Sequence, residues 1–246
     1  MTETSPLPVP RCTAADRPVT TCQNGRVANL GPGRPRVEQR RRRGQTPRAE
    51  ILDAAGELFT TKGYANTSTR VVADAVGIRQ ASLYHHFAAK DDILDALLAE
   101  TIAAPLELAE RLGNVSAPPA ARLYALAWFD VRQLCASRWN LGALYLLPEL
   151  RTARFAAFRL RRDELRGHYE NLAAAVLAAG AGGGVVDAAA LPFRLVETVI
   201  NMRSDEGKAP VEAERTIPEA ALRVLGWPGD LVALRAAAAQ VLEQTQ

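Results

Sequence analysis

From Pro47 onward apolar residues return every third or fourth position and nowhere alternate, and this regularity constrains the fold more than any other feature of the chain. Ile51, Leu52, Ala55, Leu58 and Phe59 form one helical stripe behind Thr46 and Pro47, a cap and a first-turn proline, and Lys62-Gly63 closes it. Val72, Ala73 and Val76 make a shorter stripe after "NTST", where Thr67 or Ser68 can accept a backbone N–H, and Gly77 stops it. A third helix carries Leu83, Tyr84 and Phe87. A fourth starts near Lys90 and runs through Ile93, Leu94, Leu97, Leu98 and Ile102 to about Ala103. Beyond Pro105 helical spacing continues over about 119–137, 140–147, 151–179, 187–204, 217–225 and 229–243. No alternating stretch is bounded by Asn-Gly or Asp-Gly, so the expected class is all-α.

Residues 1–46 differ in kind. Six prolines, from Pro6 to Pro35, and Gly25, Gly31 and Gly33 interrupt any period, and the segment reads as a disordered basic arm. Residues 1–48 hold ten arginines against three acids, whereas the whole chain is only +3. A basic front on a nearly neutral chain is the asymmetry of one end that meets a polyanion. The run "QRRRRG", Gln39 to Gly44, reads either as a solvated tail or as an arm that enters a minor groove and tracks phosphates. Cys12, Cys22 and Cys135 form no C-x-x-C pair, and no apolar run approaches a membrane span or a signal-peptide core. The expectation is a cytoplasmic protein with no membrane partner.

"GIRQASLYHHFAAKDD", Gly77 to Asp92, gathers two of the three histidines of the chain. A metal site is not the reading, because adjacent His85 and His86 point about a quarter turn apart, neither has a cysteine or third histidine at ligand spacing, and His168 stands alone. A helix of about eight residues, a turn at Gly77 and a second short helix are the proportions of a helix-turn-helix. Val72, Ala73, Val76, Ile78, Leu83 and Phe87 would pack on the stripe of the first helix, leaving Gln80, Ala81, Ser82, Tyr84, His85 and His86 outward. Glutamine can pair bidentately with adenine, the alanine methyl can meet a thymine methyl, and Tyr, His and Lys reach phosphates. A polar face is also what any small three-helix unit presents, so periodicity alone leaves both readings open.

"RAEILDAAGELFTTKGYANTSTRVVADAVGIRQASLYHHFAAKDDIL" resembles, without a gap from Arg48 to Leu94, the amino-terminal DNA-binding domain of the TetR family of bacterial transcriptional regulators. Phe59, the Gly63-Tyr64 turn, Val72-Ala73, Gly77-Ile78 and "LYHHF" followed by Lys90 are the most specific parts of the match. The resemblance implies that Ser68, Thr69 and Arg70 approach DNA at the start of the second helix and that Gln80, Ala81 and Ser82 read bases. It also implies that Tyr84, His85 and His86 flank them on the backbone and that Lys90 holds a phosphate at a helix N-terminus. Arg79 departs from the pattern, standing where many members have a small capping residue, and is expected to add a phosphate or guanine contact.

The resemblance implies the domain plan 1–46 basic arm, 47–107 helix-turn-helix domain and 108–246 helical ligand-binding and dimerisation domain. Trp128, Phe129, Arg132, Cys135, Trp139 and Tyr145 are the candidate ligand residues, since a pocket between helices wants apolar walls and a few polar groups. Ordinary core is the competing reading. The arginines 151, 154, 159, 161, 162 and 166 spread around more than one face and read mostly as solvent-facing. Leu191, Leu195, Val199 and Met202, with Leu231, Leu234, Ala238, Val241 and Leu242, offer apolar stripes, and the resemblance implies that such helices from two subunits make a four-helix interface. No G-x-S-x-G, P-loop, H-E-x-x-H or Rossmann pattern is present, so no enzyme and no cofactor is expected. The expected function is a homodimeric repressor released from an inverted-repeat operator in double-stranded DNA by a small-molecule effector. A TetR-fold activator or a ligand-independent regulator is the alternative, followed by a helical enzyme or adaptor.

Overall fold

A computed structural model describes residues 44–180 and 187–245. The arm expected over 1–46 therefore lies outside the described residues except for its last three positions. Helix α1 (Pro47–Thr61) begins as its sequence dictates: Thr46 Oγ1 accepts the Ala49 N–H at 3.2 Å, and Pro47 occupies the first turn, where no N–H is needed. Helix α2 (Thr69–Val76) lies against it, α3 (Gln80–Tyr84) packs on α2, and α4 (Lys90–Leu112) follows and also packs on α1. Val72, Ala73, Val76, Leu83 and Phe87 are buried with Ile51, Leu52, Ala55, Leu58 and Phe59, and Ile78 is half-buried. Full burial of each larger side chain contributes about 1.5–3 kcal/mol, which is what seats two helices too short to be stable alone.

Helix α4 does not end near Ala103. It continues through Pro105 to Leu112, so the boundary expected at 107/108 falls inside it. Proline withholds the N–H that the Thr101 carbonyl would accept. That carbonyl instead accepts the Gln133 side-chain amide at 2.9 Å, which removes the main penalty of a proline at this depth. At the far end Arg122 donates to the Leu112 carbonyl at 3.3 Å.

Helix α5 (Pro119–Ala136) is the axis of the second half and packs against α4 and against α6 (Ala156–Ala178), α7 (Leu191–Glu206), α8 (Ala213–Val224) and α9 (Leu231–Gln244). Five consecutive residues, Leu123 to Ala127, are buried, the signature of a helix covered on every side. Two expected helices differ. Residues Leu141–Leu146 form a 3-10 turn, and the segment expected to open a helix at 151 is two further 3-10 turns, Pro148–Arg151 and Ala153–Phe155, so α6 starts at Ala156. The late apolar stripes are partly used within the chain: Val199, Leu234, Ala238 and Val241 are buried, Leu191, Leu195, Leu231 and Leu242 half-buried, and Met202 exposed. Among the described residues no helix is long and apolar enough to cross a membrane.

Candidate nucleic-acid interface

The helix-turn-helix unit, the head of the described chain, is built by caps and one glycine. Ser68 is extended and its Oγ accepts the Val71 N–H at 3.3 Å, so this side chain starts α2. Gly77 ends it at φ 75°, the left-handed region, where its N–H and that of Ile78 reach back to Asp74 and Ala73 at 3.1 and 3.0 Å. A β-carbon is strained there. Gly77→Ala is expected to lower stability by about 1–2 kcal/mol, measurable by urea unfolding; an unchanged midpoint would show that the turn tolerates a side chain. Arg79 occupies the N-cap of α3 with no side-chain cap, and its guanidinium is exposed.

Thr69, Gln80 and Tyr84 are drawn into one cluster across the turn. Gln80 Nε2 donates to Thr69 Oγ1 at 3.0 Å and to the Tyr84 hydroxyl at 3.3 Å, and the two hydroxyls are 3.1 Å apart. Tyr84 is 47% exposed although its neighbour Leu83 is fully buried, so the ring stands on the surface by position and is fixed by these bonds. Around the cluster Arg70, Arg79, Ala81, Ser82, His85 and His86 are exposed. Lys90 is half-buried; its Nζ lies 3.0 Å from the Tyr64 carbonyl and 4.0 Å above the Tyr64 ring. The Tyr64 hydroxyl donates to Asp91, and burial, then that bond and charge, push it well above the ordinary range of a phenol. Tyr64 thus positions Lys90, leaving two ammonium protons for another acceptor. The sequence pointed to Tyr64 only as part of a turn.

Two ion-paired junctions tie the head to the rest. Asp53 on α1 accepts from Arg138 at 2.9 Å and from Trp139 Nε1 at 3.1 Å. The indole lies so close to α1 that a β-carbon on Gly56 would sit 2.9 Å from its Cδ1. Arg154, in the turn before α6, bridges Asp92 at 2.5 Å and Asp95 at 3.7 Å on α4. Arg151, Arg154 and Arg161 are exposed, Arg154 while ion-paired, whereas Arg159, Arg162 and Arg166 are half-buried, so the solvent-facing reading holds for three of the six.

The six candidate ligand residues are not brought to one place. Trp128 stacks under Arg132, 4.9 Å from guanidinium to ring, on the outer part of α5, with half-buried Phe129 and Cys135 on the same helix. Trp139 belongs to the α1 junction and lines a groove of about 320 Å³. Tyr145 is held by Thr101, hydroxyl to hydroxyl at 2.6 Å, beside an inner void of about 10 Å³ among α4, α5, α6 and α7. That void is lined by Asp130, which accepts from the Tyr169 hydroxyl at 3.1 Å, and by Arg162, paired with Glu197. Burial pushes the Asp130 carboxyl up to about 7; the Tyr169 bond opposes this and the Glu197 charge adds to it. Sequence reasoning passed over Asp130, Tyr169 and Glu197, and took Arg162 only as one of a mostly solvent-facing set. One signal was readable: Asp130 falls on the Leu123, Ala127, Leu134 stripe of α5, a carboxylate at a core position.

Residues 51–97 match the family model described as "Bacterial regulatory proteins, tetR family". Over 51 residues the chain is 45% identical to the HTH-type transcriptional repressor KstR2 of Mycobacterium tuberculosis, an overlap of 21% of this chain and 26% of that protein. The Rhodococcus jostii KstR2 is 47% identical over 51 residues, 21% and 25% of the two chains. These curated relatives are thus matched over about a quarter of their length. The crystal structure of Mycobacterium smegmatis AmtR is 64% identical, covers 83% of this chain and 98% of its own, and superposes with a TM-score of 0.79. The structure of the ketosteroid transcriptional regulator KstR2 of M. tuberculosis is 21% identical over 75% and 95% of the chains, with a TM-score of 0.60, a likeness of fold.

Proposed function

Because the chain belongs to the TetR family of bacterial transcriptional regulators, we propose that it represses transcription as a homodimer on an inverted-repeat operator and that a small molecule releases it. The observation that carries the proposal is the ordered Thr69–Gln80–Tyr84 cluster amid a ring of exposed Arg70, Arg79, Ala81, Ser82, His85 and His86. In this reading Arg70, Gln80, Ala81 and Ser82 meet base edges, and Arg79 adds a phosphate or guanine contact. Ser68, Thr69, Tyr84, His85, His86 and Lys90 lie along the backbone. A single five-residue recognition helix binds weakly, and two copies set one helical turn apart supply the missing affinity. The half-buried leucines of α7 and α9, with exposed Met202 and Val232, are apolar groups left for a twofold contact. Repression is supported by the repressor named among the relatives.

A second reading, a regulator that needs no ligand, is favoured by the inner void, which at about 10 Å³ holds no more than one water. A footprint on the DNA upstream of its own gene, with and without candidate metabolites, separates the two. The expected result is protection of two half-sites about 34–36 Å apart, lost steeply with salt and lost again with an effector. Absence of protection would overturn the DNA-binding reading, and protection indifferent to every metabolite would favour the second.

A further inference from the structure

The turns before α6 and the first half of α6 enclose a groove of about 230 Å³, separate from the inner void and open to solvent. Its walls are Tyr145, Leu147, Leu150 and Phe158, and the cations Arg151, Arg159 and Arg162 line it. The acid beside them, Asp163, is paired with Arg166 at 3.3 Å, so the groove is apolar with a net positive edge. Arg159 is engaged, donating to the Leu150 carbonyl and, at 2.6 Å, to that of Thr152. Arg151 is exposed and has no side-chain hydrogen bond or ion pair among the described residues. Arg162 stands between groove and void, lining both; it pairs with Glu197, yet its buried Nε–H has no acceptor among the described residues. A half-buried guanidinium with one donor unmet, beside apolar walls and the uncommitted Arg151, is matched by a planar oxyanion attached to an apolar body.

We propose that this groove binds a small organic carboxylate, which pairs with the guanidinium groups of Arg162 and Arg151 while its apolar part covers Leu147, Leu150 and Phe158. A dry cavity of about 150 Å³ holds one benzene, so the groove admits a molecule on the order of ten non-hydrogen atoms. Occupancy sets the ligand and Glu197 in competition for Arg162. It also presses on residues 147–151, which continue directly into Arg154, the residue that grips Asp92 and Asp95 at the start of α4. The regulatory consequence, loosening of the head, rests on the effector reading above; the site itself does not.

The test is calorimetric titration of the full chain with hexanoate and benzoate, against 1-hexanol, benzyl alcohol and hexylamine as uncharged or cationic counterparts of the same size. Saturable binding of the carboxylates alone is expected, weakened roughly tenfold or more by Arg162→Gln and by Arg151→Ala. Arg151 is exposed, so its variant keeps the test decisive if loss of Arg162 disturbs folding. Equal binding of the alcohols, carboxylate affinity unchanged in both variants, or no saturable carboxylate binding overturns the site. A parallel DNA-release assay separates the two claims. Carboxylate binding without release leaves the site standing and removes the effector reading; release by an amine or neutral molecule, with no carboxylate bound, does the reverse.

Discussion

Asp130→Asn is expected to stabilise the protein above pH 7, by about 4 kcal/mol, and to leave it unchanged below pH 4. The Asp130 carboxyl is fully buried, and its pKa is raised by that burial from 3.8 to about 7. The folded state therefore holds this proton more tightly than the unfolded chain does. Stability linked to the group is complete below the unfolded pKa, declines as pH rises from about 4 to about 7, and is level beyond. Asparagine stays neutral throughout and keeps an oxygen to accept the Tyr169 hydroxyl, so the variant escapes the decline. Urea unfolding of both proteins at pH 4, 6 and 8 reads the difference directly. An asparagine variant less stable at pH 8 would mean that the carboxylate is charged in the fold and that Arg162, across the same void, sustains it.

Tyr84→Phe combined with Lys90→Ala is expected to lower affinity for the footprinted DNA by roughly a hundredfold and to flatten its salt dependence by about two in a dimer, one phosphate per subunit. The phenylalanine removes the hydroxyl that orders Gln80, so the amide pays rotamer entropy when it meets a base. The alanine removes the compact charge that Tyr64 holds at the start of α4. Because Lys90 also covers the Tyr64 carbonyl, far-ultraviolet circular dichroism of the variant is needed beside the binding curve. Retained affinity in a folded variant would mean that the interface lies elsewhere on the chain.

The head was legible in the sequence because local rules and burial agree there. Thr46, Ser68 and Gly77 are capping and turn residues whose chemistry acts within three positions, and the apolar spacing of Ile51 to Phe59 admits one face. Failures came where a distant partner overrides a local rule. Pro105 reads as a stop, and only Gln133, 32 positions from Thr101, makes it an interior residue. The 3-10 turns at 148–155 share their spacing with a helix, and Arg159 settles the matter by occupying the carbonyls of Leu150 and Thr152. The six candidate ligand residues suggested one pocket, whereas they are spread apart, with Trp139 bonded to Asp53 beside a groove of its own. The polar centre of the helical half depends on Asp130, Tyr169, Arg162 and Glu197 meeting from three helices, which no spacing within one helix can announce.

The 23 residues of α4 form one rod of about 34 Å. Its first turn carries Lys90 and the acids held by Tyr64 and Arg154, and its last is fastened by Arg122. With α4 continuous between these ends, a rotation of five degrees at one would displace the other by about 3 Å, close to the axial step of about 3.4 Å between successive bases of a strand. The side-chain amide of Gln133 on the Thr101 carbonyl ties α5 to α4 beside the proline, so in the proposed DNA-binding role a small angular change among the later helices would reach the head as a misregister of about one base.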